Sequence, residues 1–296
     1  MNQAVLFDNP GPRAVRRHKV IAVVTALAAL GVLWLVLVKL GEKGNLAAAK
    51  WTPFLAVETW TEYIVPGLLG TLKAAAISIV LAGVLGLLLG IGRLSEVAAI
   101  RWVSSVVVEF FRSVPVLLMM LFSFALYSFN NVFPSEQLSL AAVVTGLTLY
   151  NGAVIAELVR AGVGNLPNGQ REAGLSIGLT PGQTLWLVQL PQALTAMLPA
   201  IVGQLVVVLK DSALGQIITY EELLNKAGQI GTSKQDLVPA FIVVAVIFIV
   251  INYLLTRLAV AVEQRINRRG HTSGTTPAAP GQAPITEPER AAASHT

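Results

Sequence analysis

The 296-residue chain is expected to fold as an all-α integral membrane protein with six transmembrane helices. Three observations predict this. Hydrophobic residues make up 54% of the sequence, charged residues only 12%, and the mean hydropathy is +0.69. Soluble domains carry about 25% charged residues, so the polar groups needed to cover a water-facing surface are missing and the bilayer is the solvent. The apolar residues are also gathered into runs of spanning length with short polar breaks between them. Finally, arginine concentrates in one set of those breaks, as the positive-inside rule requires. Cysteine is absent, which excludes disulfides, thiolate metal sites and cysteine nucleophiles. The formal charge of +5 and pI near 9.6 are explained by membrane-flanking arginine, so no nucleic-acid partner is expected.

A spanning helix needs ~20 mostly apolar residues. Residues 1–19, with the basic run RAVRRHK, form a cytoplasmic N-terminus, and Val20–Val38 is the first span, in a helix placed at 20–40. A signal peptide is the competing reading, but its apolar core is ~7–15 residues, and Ala47, Ala48 and Ala49 lie too far downstream for a cleavage site. The helix is therefore expected to be retained. The segment Gly41 to Pro66, with Trp51, Glu58 and Trp60, either anchors at the outer surface or docks an extracytoplasmic partner. The second span is Leu68–Gly92, closed by Arg93; its Gly86 and Gly90 form a GxxxG pair that permits close packing, inside the subunit or between subunits. The third runs from Val103 to Phe129, interrupted by Glu109 and Arg112. The fourth is Leu138–Val159, ending at Arg160, the fifth Leu194–Leu209, and the sixth Leu237–Leu258. From 265 to 296 a tail rich in Pro, Ala, Ser and Thr is expected to be disordered and cytoplasmic.

Six spans put both termini on one side, and the flanks Arg13, Arg16, Arg17, Lys19 and Arg257, Arg265, Arg268, Arg269 assign that side to the cytoplasm. Arg93, Arg101, Arg160 and Arg171 then lie on the cytoplasmic side as well, leaving Arg112 within a span. Trp34, Trp51, Trp60 and Trp102 sit near interfaces, as an aromatic belt does. His18, His271 and His295 are too scattered for a metal site.

Between the fourth and fifth spans lies GQREAGLSIGLTPGQTLWLVQLP, residues Gly169 to Pro191. Glycine and proline break it too often for a spanning helix, yet it is too apolar for an ordinary solvated loop. Two short helices are read in it. Pro167 and Asn168 open the first, which runs through Leu175 and stops at Gly178. Thr180 is read as the N-cap of the second, with Pro181 at the first helical position and Gln183 completing a capping box. This second helix is expected to end before Pro191, which a helix interior tolerates poorly. Ala173, Gly174, Ser176 and Gly178 are small enough to admit another backbone. Glu172 offers an acceptor to a basic or amide partner, and Leu175, Leu179 and Trp186 offer apolar anchors. A loop resting on lipid headgroups is the alternative, but such loops are rich in Lys and Arg, whereas Ala173 to Leu209 has no charge.

Glu172-Ala173-Gly174, then Gly178, then Leu190-Pro191 resembles the EAA loop of ATP-binding-cassette importer permeases. That loop has Glu-Ala-Ala, a Gly four residues after the second Ala, and a hydrophobic-Pro pair further on; here Gly174 replaces the second Ala. The resemblance covers about residues 62–262 and is nearest to the polar-amino-acid branch. PGLLGTLKAAAISIVLAGVLGLLLGIGRLS is similar to that branch's first core helix, VVEFFRSVPVLLMMLF to its Glu-x-x-Arg-x-x-Pro segment, and LPQALTAMLPAIVGQLVVVLKDSALGQII to the stretch after the loop. The resemblance implies a type I importer permease core of five helices, here with one N-terminal helix added, in the plasma membrane. It also implies a second permease subunit, a pair of ATPase subunits and an extracytoplasmic solute-binding protein. LFDNPGPRAVRR and the added span resemble permeases of the actinobacterial glutamate importer, which implies glutamate or a related polar amino acid and a heterodimeric permease pair. The chain lacks a G-x-x-x-x-G-K-[ST] phosphate loop. It is accordingly expected to be a transport subunit rather than an enzyme and to bind no cofactor, with ATP used by the partner.

Ionisable groups at membrane depth are costly and face a partner or a water-filled path. Glu109 and Arg112, three apart, are read as an ion pair on one helix face or, alternatively, as a site for a substrate carboxylate. Glu157 has Arg160 for a local partner or, alternatively, touches substrate. Lys210 and Asp211 are candidates for the pathway's outer end or for interfacial snorkelling. Asn151 and Gln204 either line the path or bond between helices. An ion-coupled secondary amino acid transporter is the rival class, with Glu109 and Glu157 as coupling carboxylates. Such folds show internal repeats with matching broken helices, which this sequence lacks, and they leave 169–191 without a role. A membrane-embedded enzyme is a second rival, without a metal or nucleophile constellation to support it.

Overall fold

The computed structural model describes residues 11–234 and 236–271; most of the tail expected to be disordered lies outside the described residues. Helix α1 (Pro12–Glu42) takes a proline in its first turn and spans 31 residues, and none of its apolar window is buried against the rest of the chain. Two 3-10 turns, Ala48–Lys50 and Thr52–Leu55, follow. Here two tryptophans fasten the segment onto itself, Trp51 Nε1 donating to the Asn45 carbonyl at 3.0 Å and Trp60 Nε1 to the Phe54 carbonyl at 2.8 Å. Short α2 (Val57–Thr59) passes through a π-turn, Trp60–Ile64, into α3 (Val65–Arg93).

The core is built on α3 and α6 (Ser135–Gly164). Gly67, Thr71, Ala74, Ala75, Ser78, Ala82, Gly86 and Gly90 are buried along α3 at helical spacing. Their lack of bulk lets the α6 backbone come close, which is how helices associate where lipid removes the hydrophobic drive. A Cβ at Gly86 would stand 2.6 Å from Ile155 Cβ and 2.8 Å from the Gly152 carbonyl, and one at Gly90 would stand 2.8 Å from Val159 Cβ. The GxxxG pair thus serves an internal seam. Around it, α6 also packs against α4, α5 and α9.

The third span departs from the sequence expectation of one helix from Val103 to Phe129. It is two helices, α4 (Ala98–Ser113) and α5 (Val116–Phe129), turned 99° from each other. Pro115 is the cause: it lacks an N–H and forces the residue before it out of the helical region, and Val114 lies at φ −88°, ψ 128°. Counting the broken pair once, the described residues hold six apolar crossings.

The segment after α6 folds as α7 (Asn168–Ser176), α8 (Pro181–Thr184), a π-turn at Leu185–Gln189, and α9 (Leu190–Asp211). The expected stop before Pro191 does not occur. From Pro181 the chain stays helical for 38 residues, to Ile218, its last part a 3-10 turn, Ser212–Ile218. The π-turn is the reason. Leu190 N–H reaches back to the Leu185 carbonyl, widening the turn just where Pro191 removes a donor and crowds the preceding coil. The same device precedes Pro66, where Val65 N–H bonds the Trp60 carbonyl. Left-handed Thr219 (φ 57°) then leads to α10 (Leu223–Lys234) and α11 (Leu237–His271), which continues past Arg265, where the sequence expectation began the tail.

The α3–α6 seam makes a specific expectation. Gly86→Ala drives a methyl into Ile155 and is expected to cost ~1–3 kcal/mol as overpacking. Gly83→Ala, on the same helix with open space around it, is expected to be neutral or mildly stabilising. Thermal unfolding of the two purified variants checks both.

Candidate functional site: the α7–α8 elbow and the charged cluster beside α6

The elbow is a rigid corner. Gly178 holds φ +86°, a backbone region glycine enters without a Cβ penalty, while Gly178 N–H bonds the Leu175 carbonyl and Leu179 N–H the Gly174 carbonyl. The expected capping box is present: Thr180 Oγ1 accepts from Gln183 N–H at 3.3 Å, and Gln183 Oε1 accepts from Thr180 N–H at 2.9 Å. Gln192 of α9 donates to Gln170 of α7 at 3.0 Å, closing the corner. Gly174 is buried, and a Cβ there would stand 2.6 Å from Thr184 Cγ2. What its small size admits is therefore the Thr184 side chain of this chain's own helix α8, with no space left for a methyl.

The candidate loop residues divide accordingly. Glu172, Ala173, Gly178 and Pro191 are at the surface, whereas Gly174 and Leu190 are buried and hold the corner's shape. Trp186 is 54% exposed and Leu175 38%, as anchors require, but Leu179 is half-buried. The most exposed apolar side chain of the elbow is Ile177, at 77%. It was not singled out from sequence; its signal was an apolar residue directly before the hinge glycine. Between the elbow and the turn joining α3 to α4 lies a cleft of about 550 Å³, lined by Leu94, Val97, Arg171, Pro181 and Trp186 among others.

Beside the elbow, the last turn of α3, α4 and the final third of α6 meet in a cluster of three arginines and two carboxylates. Arg93 reaches Glu157 at 2.6 Å and Glu109 at 3.1 Å; Arg112 stands 3.4 Å from Glu157 and 3.7 Å from Glu109. Arg160 pairs with Glu157 one turn away. The expected Glu109–Arg112 and Glu157–Arg160 pairs both exist. The centre, however, is Arg93, whose side chain is only 9% exposed and which sequence reasoning treated as the end of a span. Its partner Glu157 is 64 residues away, so no local pattern signals the pair.

The remaining candidates lie apart. Gln204 of α9, partly buried, donates to fully buried Asn151 of α6 at 2.5 Å, and Asn151 donates to the Leu147 carbonyl at 2.8 Å, so the amide pair bonds between helices. Lys210 is exposed, Asp211 is half-buried, and neither joins an ion pair among the described residues. Lys210 borders an apolar groove with Val206, Phe241 and Phe248.

At the far end of α3, Glu222 is fully buried, a residue the sequence reading passed over. Its carboxyl accepts N–H bonds from Leu224 at 2.8 Å and Asn225 at 2.6 Å, capping α10, while Tyr220 donates to the Gly70 carbonyl at 2.7 Å. Burial pushes its pKa up from 4.5 to about 7, against the lowering effect of those two bonds.

Three comparisons place these features among known proteins. Residues 82–268 match the model of a family described as the binding-protein-dependent transport system inner membrane component. The chain is 48% identical over 227 residues to the glutamate transport system permease protein GluD of Corynebacterium glutamicum, covering 77% of this chain and 83% of that one. It is 35% identical over 202 residues to the probable glutamine permease GlnP of Bacillus subtilis, covering 67% and 91%. Among solved structures, an amino acid ABC transporter crystallised with histidines superposes with a TM-score of 0.65 at 29% identity, covering 72% of this chain and 98% of that one. The MetNI methionine transporter in an inward-facing form gives 0.58 at 22% identity, covering 71% and 98%, a likeness of fold.

Two outcomes are expected from the side-chain geometry. Arg93→Met removes the cluster's buried guanidinium while Glu157 keeps Arg112 and Arg160, and is expected to cost ~1.5–3 kcal/mol, the scale of a hydrogen bond to a charged group, whereas Arg160→Met, at a 45% exposed side chain, is expected to cost at most ~1 kcal/mol; denaturant titration of both separates them. For Glu222, the folded-state pKa lies above the unfolded one, so the unfolded chain loses its proton first as pH rises. The Glu222 contribution to stability is therefore undiminished below 4.5, falls as pH climbs and levels off near 7. Glu222→Gln is expected to remove that decline from a stability–pH profile.

Proposed function

Because the chain belongs to the binding-protein-dependent transport system inner membrane component family, as a permease subunit of an amino acid ABC importer, we propose that it carries glutamate or a closely related polar amino acid. We further propose that the α7–α8 elbow is the handle by which a separate ATPase drives it. The observation that carries the coupling reading is the elbow's combination of rigidity and exposed apolar surface. Ile177, Leu175 and Trp186 project from a corner locked by Gly178, Thr180 and Gln183, and buried aromatic and aliphatic anchors dominate binding energy at protein interfaces. Glu172, exposed on the same corner, offers the partner an acceptor. A shift of α8 is transmitted directly, because α8 and α9 are one helix jointed at Leu185–Gln189.

In this reading the elbow faces the cytoplasm, as do both termini, and the chain forms half the pathway, the other half coming from a related permease chain in a heterodimer. An extracytoplasmic binding protein delivers the amino acid; two ATPase subunits hydrolyse ATP, and this chain performs no catalysis and binds no cofactor. The glutamate assignment is supported by the likeness to the Corynebacterium permease. The ion-coupled alternative loses its coupling carboxylates, since Glu109 and Glu157 are both engaged by arginine. Lys210, Asp211, Asn151 and Gln204 remain candidates for the path.

The test uses the assembled importer in liposomes. Trp186→Ala combined with Ile177→Ala is expected to weaken ATPase association by about 30-fold or more, the scale of a hot-spot loss, and to abolish ATP-driven glutamate uptake. Glutamate accumulation by the permease chains alone, driven by an ion gradient, would overturn the reading.

A further inference from the structure

Helix α4 carries a surface that neither the elbow nor the transport path uses. Its 16 residues divide into three lengthwise strips, each repeating about once per turn. Ser104, Val108 and Phe111 face the body: Ser104 sits against Gly92 in the last turn of α3, and Val108 is buried with Ala153 and Ala156 of α6. Arg101, Ser105, Glu109 and Arg112 form a polar strip. Trp102, Val103, Val106 and Phe110 form an apolar strip, and these four are 68%, 53%, 48% and 60% exposed. A helix that spans a membrane alone has no reason for a polar strip, and a helix in water has no reason for an exposed aromatic-aliphatic one.

Position and direction resolve the conflict. The helix crosses α3 at Gly92, where that helix's apolar run ends in Arg93, and it is turned 99° from α5. It therefore runs across the direction of α5, at the level where the apolar run of α3 ends. On a helix lying there, the apolar strip points into the acyl boundary and the polar strip into water, the signature of an interfacial helix. Trp102 stands at the junction of the two strips, where an indole prefers the headgroup region. Arg101 is exposed and held by the Ser95 carbonyl at 2.8 Å. Unlike Arg93, Arg112 and Arg160, it joins no ion pair among the described residues.

We propose that α4 is an in-plane lipid-docking helix of the leaflet on the elbow side, with Trp102, Val103, Val106 and Phe110 seated at the acyl boundary and Arg101 on the phosphate of an anionic lipid. Helix α5, 14 residues long, then enters the bilayer from α4 at Pro115, and α4 ties the α3–α6 block to the leaflet through Arg93. This does not depend on which solute is carried or on how the ATPase is gripped.

The chain contains no cysteine, so single labels are read without background. In the full importer reconstituted in vesicles of phosphatidylcholine and phosphatidylglycerol, a spin label on Val106→Cys is expected to be relaxed by oxygen and shielded from a water-soluble nickel complex. A label on Ser105→Cys is expected to show the reverse. Shielding of the Val106 label from both reagents would mean that another protein chain covers the strip, and relaxation of it by nickel would mean that the strip lies in water; either overturns the proposal. Lipid retained by the purified complex supplies the second arm. Arg101→Gln is expected to lower the preference for phosphatidylglycerol over phosphatidylcholine by about fivefold, the effect of one basic side chain at an anionic surface; an unchanged preference would overturn the headgroup contact.

Discussion

The close approach of α3 to α6 is the constraint on which the other elements rest. Between lipid-immersed helices there is no hydrophobic drive toward one another, so contact area and the freedom to approach decide association. Gly86 and Gly90 place the α6 backbone within van der Waals reach of α3, and Ile155 and Val159 fill the resulting groove. Three neighbouring core helices pack on this pair: α5 and α9 on α6, and α4 on both. The small residues also set a limit. A single methyl at Gly86 or Gly90 has no space to enter, so the seam is a fixed frame and movement must arise elsewhere.

Electrostatics reinforces the same frame at one end. Arg93 sits at the last turn of α3 and binds carboxylates from α4 and α6 together, holding the three helices at the depth where their apolar runs finish. Arg112 contacts both carboxylates and Arg160 contacts Glu157, each from a more exposed position than Arg93, so three arginines face two carboxylates and the cluster is net positive. By contrast, the elbow is attached to this frame through Gly164–Pro167 and through the jointed start of α9. A fixed block therefore stands beside a segment jointed at Leu185–Gln189.

Local chemistry was legible in the sequence where the interaction is local. The six apolar runs, the Thr180–Gln183 capping box, the glycine hinge at 178 and the pairing of Glu157 with Arg160 all lie within a few residues and carry recognisable spacing. What escaped depends on distance or on cancellation. Arg93 reads as an ordinary end-of-span arginine because its partner lies on another helix. The break at Pro115 was masked by apolar residues on both sides, which kept the average hydropathy of a single span. Pro191 was expected to stop a helix, and the π-turn that lets the helix pass through it leaves no mark in hydropathy. Glu222 looked like one more acid in a polar stretch until the fold enclosed it against Thr71.

The two π-turns before Pro66 and Pro191 carry an evolutionary corollary. Each holds one residue more than an α-helical turn needs, so losing one residue from Leu185–Gln189 would rotate everything before it by about 100° around the helix axis and bring the strain of Pro191 back to the start of α9. The corner bearing Ile177 would then face a different neighbour, with the helix beyond Pro191 left in register. A length change of one residue at that point is thus a ready route by which related permeases could diverge in the partners they accept, without a single substitution in the core.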